Sequence, residues 1–464
     1  MTSLMKKYLP YFLLALPFFL LKATSIGIWL SDTNIYFYTG YKLLQGQVLY
    51  KDIFFTNFPL FPYASALYVL LTRGNLPLFF FTSAVEVLVV GFIIYKIILA
   101  QEKSRIIALC SSGIYLYSFI VLATSNHQTG VFLGSLFAIL SYSFFIRKRL
   151  FVSGIFIACA LLTKAYFLPI ALSFFLFLLI KKRSVLMPFL LGSIVTFLII
   201  LSPSLLLAAQ DLFRDVIAYS LTRSQGIPKM NIAQFFMTHD PLYILILLWN
   251  ILMIRRHLLF GMLSLLSIVF FLFYQDIYYL YLNFCIPLLA LSFPTLYNSI
   301  QKTFSLQKMV LPTIIGIILT INTVTYFHSF RTQQKIENIE AITSLIKKQN
   351  PPTLYGINSL APALSYLTDT PLLNNIIDTN ENIFRKGFLN KQNLTDRAIE
   401  QEALIISNAA IYPGTTINYP LLGGIFVEEK VIKSCQLIGT YFIKPEGVEN
   451  AITIFDCKKL SRDK

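Results

Sequence analysis

The sequence predicts an all-α polytopic membrane bundle of about eleven transmembrane helices, followed by a C-terminal α/β domain outside the membrane. Three observations lead to this fold class. Of the 464 residues, 56% are hydrophobic and 13% are charged, about half the charged share of an ordinary soluble domain. Apolar runs long enough to cross a bilayer alternate with short basic clusters. Beyond residue 328 this alternation stops and the chain becomes mixed in polarity.

The net charge of +16 follows the apolar segments. Residues 329–464 hold 15 basic and 14 acidic side chains, so the other 23 basic and 8 acidic side chains lie in residues 1–328. A nucleic-acid-binding protein gathers basic residues on one soluble face, whereas here they lie in short loops at alternate ends of apolar runs. This positive-inside pattern excludes nucleic acid as a partner. It predicts a multi-pass protein of the cell (inner) membrane with a cytoplasmic N-terminus and an extracytoplasmic C-terminal domain.

The predicted spans all lie in residues 1–328, which we interpret as the transmembrane domain. Residues 8–30 follow Lys6 and Lys7 as a signal peptide would, but no small-residue cleavage site comes after them, so we expect a retained first helix. A spanning helix needs about 20 largely apolar residues. The candidate runs are 8–30, 76–99, 106–124, 128–146, 185–208, 240–254, 258–274, 279–297 and 309–328.

Residues 150–180 are predicted to enter the membrane from the cytoplasm and return. Basic clusters flank both ends, so both ends belong inside. Each arm reaches only about 22 Å, short of the roughly 30 Å hydrocarbon core. Lys164 lies at the tip, and a lysine at membrane depth usually faces water or a partner. We therefore expect a cavity open to the outside with this lysine near its floor. The two arms bring the number of passes to eleven.

The first outer loop, residues 31–75, contains the strongest candidate for catalysis. Asp32 follows the first span, and residues 33–45 can form an amphipathic helix along the interface. A carboxylate at the membrane–water boundary can stay ionised and accept a proton, as a general base must. The alternative is that Asp32 only caps this helix, and position alone does not choose between the two.

Residues 329–464 are predicted to form a soluble extracytoplasmic α/β domain. We expect an exposed helix at 332–349 and a second helix near 361–367. Cys435 and Cys457 can pair if this domain faces an oxidising compartment. The predicted strands lie at 353–357, 403–407, 437–443 and 451–456.

The first outer loop resembles that of the polytopic glycosyltransferases of the GT-C fold, the group that contains protein O-mannosyltransferases and the bacterial aminoarabinose transferase. In both, an acid after the first helix is followed by an aromatic helix, a G-x-x-Y-x-D-F-F-like stretch and a proline-rich entry to the next helix. Here these are Asp32, Tyr36–Leu44, Gly46–Phe55 and Asn57–Pro59. The chain departs from the group at Thr33, where many members carry a second acid, and at Asn57 and Phe58, where many carry a lysine.

Two later stretches extend the resemblance along the chain. Leu162-Thr163-Lys164 is similar to the group's (S/T)K step, and Tyr278-Tyr-Leu-Tyr281 running into Pro287 is similar to its late Y-x-x-P helix. The order of these pieces agrees with the topology derived from hydropathy and charge.

The resemblance implies a membrane-embedded enzyme that takes a sugar from a polyprenyl-phosphate donor. The sugar passes to a glycan, lipid or protein acceptor outside the membrane, with inversion at the anomeric carbon. Asp32 is then the proposed base. Asp52 is a candidate second catalytic carboxylate, unless it only pairs with Lys51 or a loop amide. The leaving phosphate requires cations, for which the candidates are Lys164, Arg223 and Lys229.

Three further residues are candidates for the same site. Asn57 stands at the position where the group often has lysine, Tyr281 belongs to the late tyrosine motif, and Asp276 lies in the last short outer loop. The alternative for Asp276 is an N-cap of the next helix. No residues form a metal site by spacing, and His127 and His239 stand singly. No cofactor is assigned; a divalent cation remains an open alternative, because the group includes metal-dependent and metal-independent members.

Two other classes of protein were weighed. A transporter or flippase should show paired broken helices and repeat symmetry, whereas this sequence has one short hairpin and no matching half. A glycan polymerase or ligase would share the lipid-linked substrate but not this pattern in the first outer loop.

Overall fold

The computed structural model describes residues 3–222, 226–304, 309–329, 331, 335–408, 429–442 and 451–458. The helices of the first half are α1 (Ser3–Ala23), α2 (Thr33–Leu44), α3 (Leu60–Leu71), α4 (Leu76–Glu102), α5 (Arg105–Leu116), α6 (Phe119–Thr124), α7 (Val131–Ile146), α8 (Leu150–Thr163), α9 (Leu168–Lys181), α10 (Leu186–Leu212) and α11 (Tyr219–Thr222). Short 3₁₀ turns at Ala165–Phe167 and Arg183–Val185 and a π-helical turn at Phe213–Ala218 connect some of these.

The second half continues with helices and a small sheet. Its helices are α12 (Lys229–His239), α13 (Pro241–Leu252), α14 (Leu258–Phe273), α15 (Ile286–Phe304), α16 (Val310–Ser329), α17 (Ile339–Gln349), α18 (Ala361–Thr368), α19 (Glu381–Arg385), α20 (Lys391–Glu400) and α21 (Glu429–Ser434). Its strands are β1 (Leu354–Gly356), β2 (Leu404–Ser407), β3 (Gln436–Phe442) and β4 (Ala451–Asp456), with 3₁₀ turns at Tyr279–Phe284 and Leu373–Asn375.

Three helical stretches among the described residues are long and apolar enough to cross a membrane: Leu76–Glu102, Arg183–Thr222 and Val310–His328. A fourth crossing arises if α12 and α13, which meet at 103°, count as one broken span. Further apolar helices have 10–17 residues, short of the about 20 that a spanning helix needs. Every predicted span therefore contains helix, while the total of eleven passes stays a prediction.

One predicted span is interrupted. In the run 106–124, α5 ends at Leu116 and α6 begins at Phe119. The carboxylate of Asp240 accepts hydrogen bonds from the backbone N–H groups of Phe119 and Ile120, both at 2.8 Å. These are N–H groups that a new helix start leaves without intrahelical partners. An acid from a distant segment thus stabilises a break that local hydropathy does not show.

The first outer loop is more helical and more buried than predicted. The predicted interfacial helix is α2, but its residues from Thr33 to Gly40 are buried instead of lying on a lipid surface. On one side α3 packs so closely that Gly40 touches the backbone of Ser65. On the other side α18 covers it, and the Ser365 hydroxyl donates to the Tyr38 hydroxyl at 2.9 Å. The C-terminal segment thus encloses this helix.

The strands of the C-terminal segment lie where the sequence predicts them. They form one sheet in the order β1-β2-β4-β3, with β1 parallel to β2 and the other neighbours antiparallel. Cys435 and Cys457 form a disulfide, which joins the start of β3 to the end of β4. The strands β1 and β2 are buried, and their apolar side chains belong to one of the two apolar clusters of the protein.

The apolar side chains form two clusters. One fills the membrane bundle and includes Phe18, Ile94 and Phe119. The other is shared by the first outer loop and the C-terminal segment, with Phe37 packed in the same cluster as Leu364.

The chain also joins these two regions through its backbone. The Ile336 N–H donates to the Ile28 carbonyl at 2.9 Å, and the helix predicted from residue 332 begins only at Ile339. Residues 332–334 of the predicted helix lie outside the described residues, and Lys335 forms a β-bridge with Trp29, just before the first outer loop. The loop that carries Asp32 is consequently held between the bundle and the C-terminal segment.

Candidate functional site

A cavity of about 400 Å³ lies where the first outer loop, the bundle and the C-terminal segment meet. Five of the residues proposed from the sequence line it. The polar lining is completed by residues of the C-terminal segment. The five residues are Asp32, Asn57, Lys164, Asp276 and Tyr281.

Asp32 is exposed and lines the cavity. It directly precedes α2, yet its carboxylate makes no side-chain hydrogen bond to cap the helix. The alternative interpretation, in which Asp32 serves only as the helix cap, therefore lacks the contact that defines a cap. An exposed carboxylate on the cavity wall can be reached by a group that gives up a proton.

The backbone around Asp32 is anchored from two sides. The Ser31 N–H donates to the Ser359 carbonyl at 3.2 Å, which attaches the loop to the C-terminal segment. The Ser31 hydroxyl lies 2.9 Å from Nδ1 of His127, in the loop between α6 and α7. Burial, with a smaller contribution from the charge of Lys22, lowers the pKa of His127 to about 4. The imidazole is thus neutral at physiological pH and acts here as a hydrogen-bonding support.

Lys164 lies at the tip of the predicted hairpin. It separates α8 from the 3₁₀ turn before α9 with an extended backbone, φ −152° and ψ 130°. Gly154 lies against the carbonyl of Phe189, and Gly192 against that of Phe151. The start of α10 therefore packs against the start of α8. At the end of α9 the chain has returned to the level at which α8 begins. The two arms of 14 residues each therefore form the hairpin.

Two of the partners of the Lys164 ammonium group are Tyr36 and Asn57. The residue is 3% exposed. Its Nζ donates to the Tyr36 hydroxyl at 2.7 Å and to Oδ1 of Asn57 at 3.2 Å. It also lies 4.6 Å from the centre of the Tyr36 ring, within the range of a cation–π interaction. The cation is thus oriented at the cavity wall, as a group that receives an anionic ligand must be.

Asp276 and Tyr281 belong to one segment of the lining. Asp276 is 4% exposed. The 3₁₀ turn that follows begins after Tyr278, so the alternative of Asp276 as its N-cap is wrong. The Tyr281 ring stacks on that of Tyr166, with centroids 3.9 Å apart. This pair places an aromatic face on the cavity beside the hairpin tip.

Two of the remaining candidates, Asp52 and Lys229, are not among the described residues that line the cavity. Asp52 is exposed, and its Oδ2 accepts a hydrogen bond from the Val48 N–H at 2.7 Å, so it closes a turn of the loop, as the alternative interpretation had it. Lys229 donates to the carbonyl of Leu272 near the end of α14. Arg223 lies outside the described residues.

Sequence reasoning missed the cavity-lining residues of the C-terminal segment and the buried Lys22. The C-terminal side of the cavity is lined by small polar side chains, which in the sequence look like ordinary loop residues. Lys22, 1% exposed, donates to the Tyr326 hydroxyl at 2.9 Å and to the Leu122 carbonyl. It joins α1 to α6 and α16. A lysine inside the first apolar run was the signal for it.

The residues at the cavity do not make a recognisable metal site. Within the described ranges, no three histidine, cysteine, aspartate or glutamate side chains gather as a ligand group. The carboxylates of Asp32, Asp276 and Asp378 all line the cavity, but they do not form such a group.

Comparisons with known proteins agree with the fold. No family model and no curated protein matches the sequence. Among solved structures, the chain is similar to ArnT from Cupriavidus metallidurans bound to undecaprenyl phosphate, with a TM-score of 0.62 and 11% sequence identity over 99% of each chain. The likeness spans the membrane helices and the C-terminal segment alike. The chain is therefore a multi-pass membrane protein with the fold of the GT-C glycosyltransferases, as the first outer loop had indicated.

Proposed function

We propose that this protein is a membrane glycosyltransferase that moves a sugar from a polyprenyl-phosphate donor to an acceptor at the outer face of the membrane. The observation that carries the proposal is that Asp32 and Lys164, 132 positions apart in the sequence, line one cavity of about 400 Å³. A solved protein of the same fold binds undecaprenyl phosphate, which supports a lipid phosphate as the donor group.

The chemistry follows from the two charges. The acceptor hydroxyl loses its proton to the Asp32 carboxylate as its oxygen attacks the anomeric carbon of the donor sugar. The bond between that carbon and the phosphate oxygen breaks, and the electron pair leaves with the polyprenyl phosphate. The Lys164 ammonium stabilises the charge on that leaving phosphate. Attack opposite the leaving group inverts the anomeric carbon.

The surroundings of Lys164 suit this task. Tyr36 and Asn57 orient its ammonium without neutralising it, since neither carries a charge. A buried cation attracts a phosphate more strongly than a solvated one, because the local dielectric is lower. The donor's lipid tail would remain in the bilayer while its phosphate reaches the hairpin tip.

Two aspartates of the same loop provide a direct experiment. Asp32 lines the cavity and Asp52 does not, so Asp32→Asn should abolish transfer and Asp52→Asn should retain it. The assay follows a radiolabelled polyprenyl-phosphate sugar in proteoliposomes, with thermal unfolding as the check on folding. Wild-type rates in Asp32→Asn would remove the proposed base. Movement of intact donor across the vesicle membrane without bond cleavage would identify a flippase instead.

A further inference from the structure

One wall of the cavity comes entirely from the C-terminal segment. We call it the amide wall, because four of its six residues carry side-chain amides and none is basic. It consists of Asn358, Ser359, Asp378, Asn380, Asn382 and Asn408. Resting on the proposed function, we propose that the amide wall is the acceptor subsite and that it takes a neutral carbohydrate.

The chemistry of the wall matches sugar hydroxyls. A side-chain amide both donates and accepts hydrogen bonds, and so does a hydroxyl group. An anionic group accepts only and is best bound by Arg or Lys. Among the described residues of the lining, Lys164 is the one lysine or arginine. In the proposed function this lysine binds the phosphate of the donor. An acceptor with a phosphate of its own would instead meet the carboxylates of Asp32 and Asp378.

The wall is preformed by its own hydrogen bonds. Oδ1 of Asp378 accepts from the Asn358 side-chain amide at 3.1 Å and from the Asn380 N–H at 3.0 Å. Oδ1 of Asn380 in turn accepts from the Asn382 N–H at 2.9 Å and starts α19. These bonds fix the side chains before a ligand arrives, which lowers the entropic cost of binding.

Asn408 supplies a second, independent observation. It follows β2, lines the cavity and is 3% exposed. Its side-chain carbonyl oxygen is buried with no hydrogen-bond partner among the described residues. A buried acceptor without a donor is costly, and a ligand hydroxyl in the cavity would satisfy it.

The wall contacts the backbone segment that carries the proposed base. Ser359 accepts hydrogen bonds through its carbonyl from the Ser31 N–H and from the Asn34 side chain, one residue before and two after Asp32. An acceptor whose hydroxyl reaches Asp32 therefore extends across the amide wall. The donor approaches from the hairpin tip, where Lys164 lies.

The test separates acceptor from donor. Matched pairs of p-nitrophenyl hexosides, with and without a 6-phosphate, are offered with a radiolabelled polyprenyl-phosphate sugar. We expect at least a tenfold preference in kcat/KM for the neutral member. Asn408→Ala should raise the acceptor KM about threefold to tenfold, the effect of one neutral hydrogen bond, and leave the donor KM unchanged. Asn393→Ala, exposed on α20 outside the lining, is the matched control.

Two results would overturn the inference. One is equal or better use of the phosphorylated hexosides. The other is a change in donor KM in Asn408→Ala, which would assign the wall to the transferred sugar. If Asn408→Ala fails to fold by thermal unfolding, Asn382→Ala on the surface of α19 takes its place with the same expected KM split.

A binding experiment keeps the inference independent of turnover. Saturation-transfer NMR measures binding of the neutral hexosides to the Asp32→Asn protein and to its double variant with Asn408→Ala. Weaker binding in the double variant supports the wall, and equal binding or no binding by any neutral hexoside overturns it. If wild-type protein never cleaves the donor, the proposed function fails while this measurement still decides the wall.

Discussion

Replacing Lys164 with methionine should remove activity without unfolding the protein. The lysine is 3% exposed and makes hydrogen bonds of 2.7 and 3.2 Å to Tyr36 and Asn57. Hydrogen bonds to a charged group contribute about 1.5–3 kcal/mol each, whereas burying an ammonium costs several kcal/mol. The two effects are of similar size and opposite sign. We therefore expect the free energy of unfolding to change by no more than about 2 kcal/mol.

The effect on catalysis should be much larger. Loss of one preorganised group that stabilises developing charge lowers kcat by about 10²–10³. We expect Lys164→Met to show that loss with the polyprenyl-phosphate donor, while the exposed Lys51→Met in the first outer loop keeps wild-type rates. The assay is transfer of radiolabelled sugar, run beside thermal unfolding in detergent. Near-normal kcat in Lys164→Met would refute the proposed role. Loss of activity together with a large drop in stability would show a structural role only.

Three further predictions test the support of the site. Tyr36→Phe removes the hydroxyl that orients the hairpin lysine and should lower kcat/KM about threefold to tenfold, with unchanged stability as the readout that separates orientation from folding. Unfolded His127 takes up a proton near pH 6.5, whereas the folded residue has a pKa of about 4. Its contribution to stability is therefore complete above pH 6.5 and lost as the pH falls to 4. As the pH is lowered from 6.5 to 4, the melting temperature of the wild type should fall relative to that of His127→Asn. A difference in melting temperature that stays constant over this range would contradict the lowered pKa. Gly154→Ala places a methyl group against the Phe189 carbonyl and should destabilise the hairpin by about 1–3 kcal/mol. Gly316→Ala in α16, where a methyl meets nothing within 4 Å, should be neutral or stabilising, so similar melting temperatures for the two variants would contradict the close helix contact.

The part of the site that lies in continuous sequence was predictable. Asp32 stands at the end of an apolar run, and Lys164 interrupts another between basic clusters. Both are placed by the cost of burying charge in lipid, which acts on each segment locally. The aromatic helix after Asp32 and the strands of the tail also follow from short-range patterns.

Asp52 and the amide wall were not predictable in this way. Asp52 belongs to the motif that resembles the GT-C group. Its carboxylate nevertheless accepts a hydrogen bond from the Val48 N–H and so closes a turn of the loop outside the cavity. Only tertiary structure distinguishes an acid that faces a cavity from one that holds a turn. The same is true of α2, which has the composition of an interfacial helix but is covered by α18.

The sequence alone determined that this chain is a membrane protein and which of its apolar runs form helices, because hydropathy and charge act over about 20 residues. Tertiary structure decided what surrounds the proposed base and the proposed phosphate-binding lysine. The contact between Ser31 and Ser359 joins positions more than 300 residues apart. No local pattern encodes such a contact, since it depends on how complete surfaces of the first outer loop and the C-terminal segment pack around a shared apolar core.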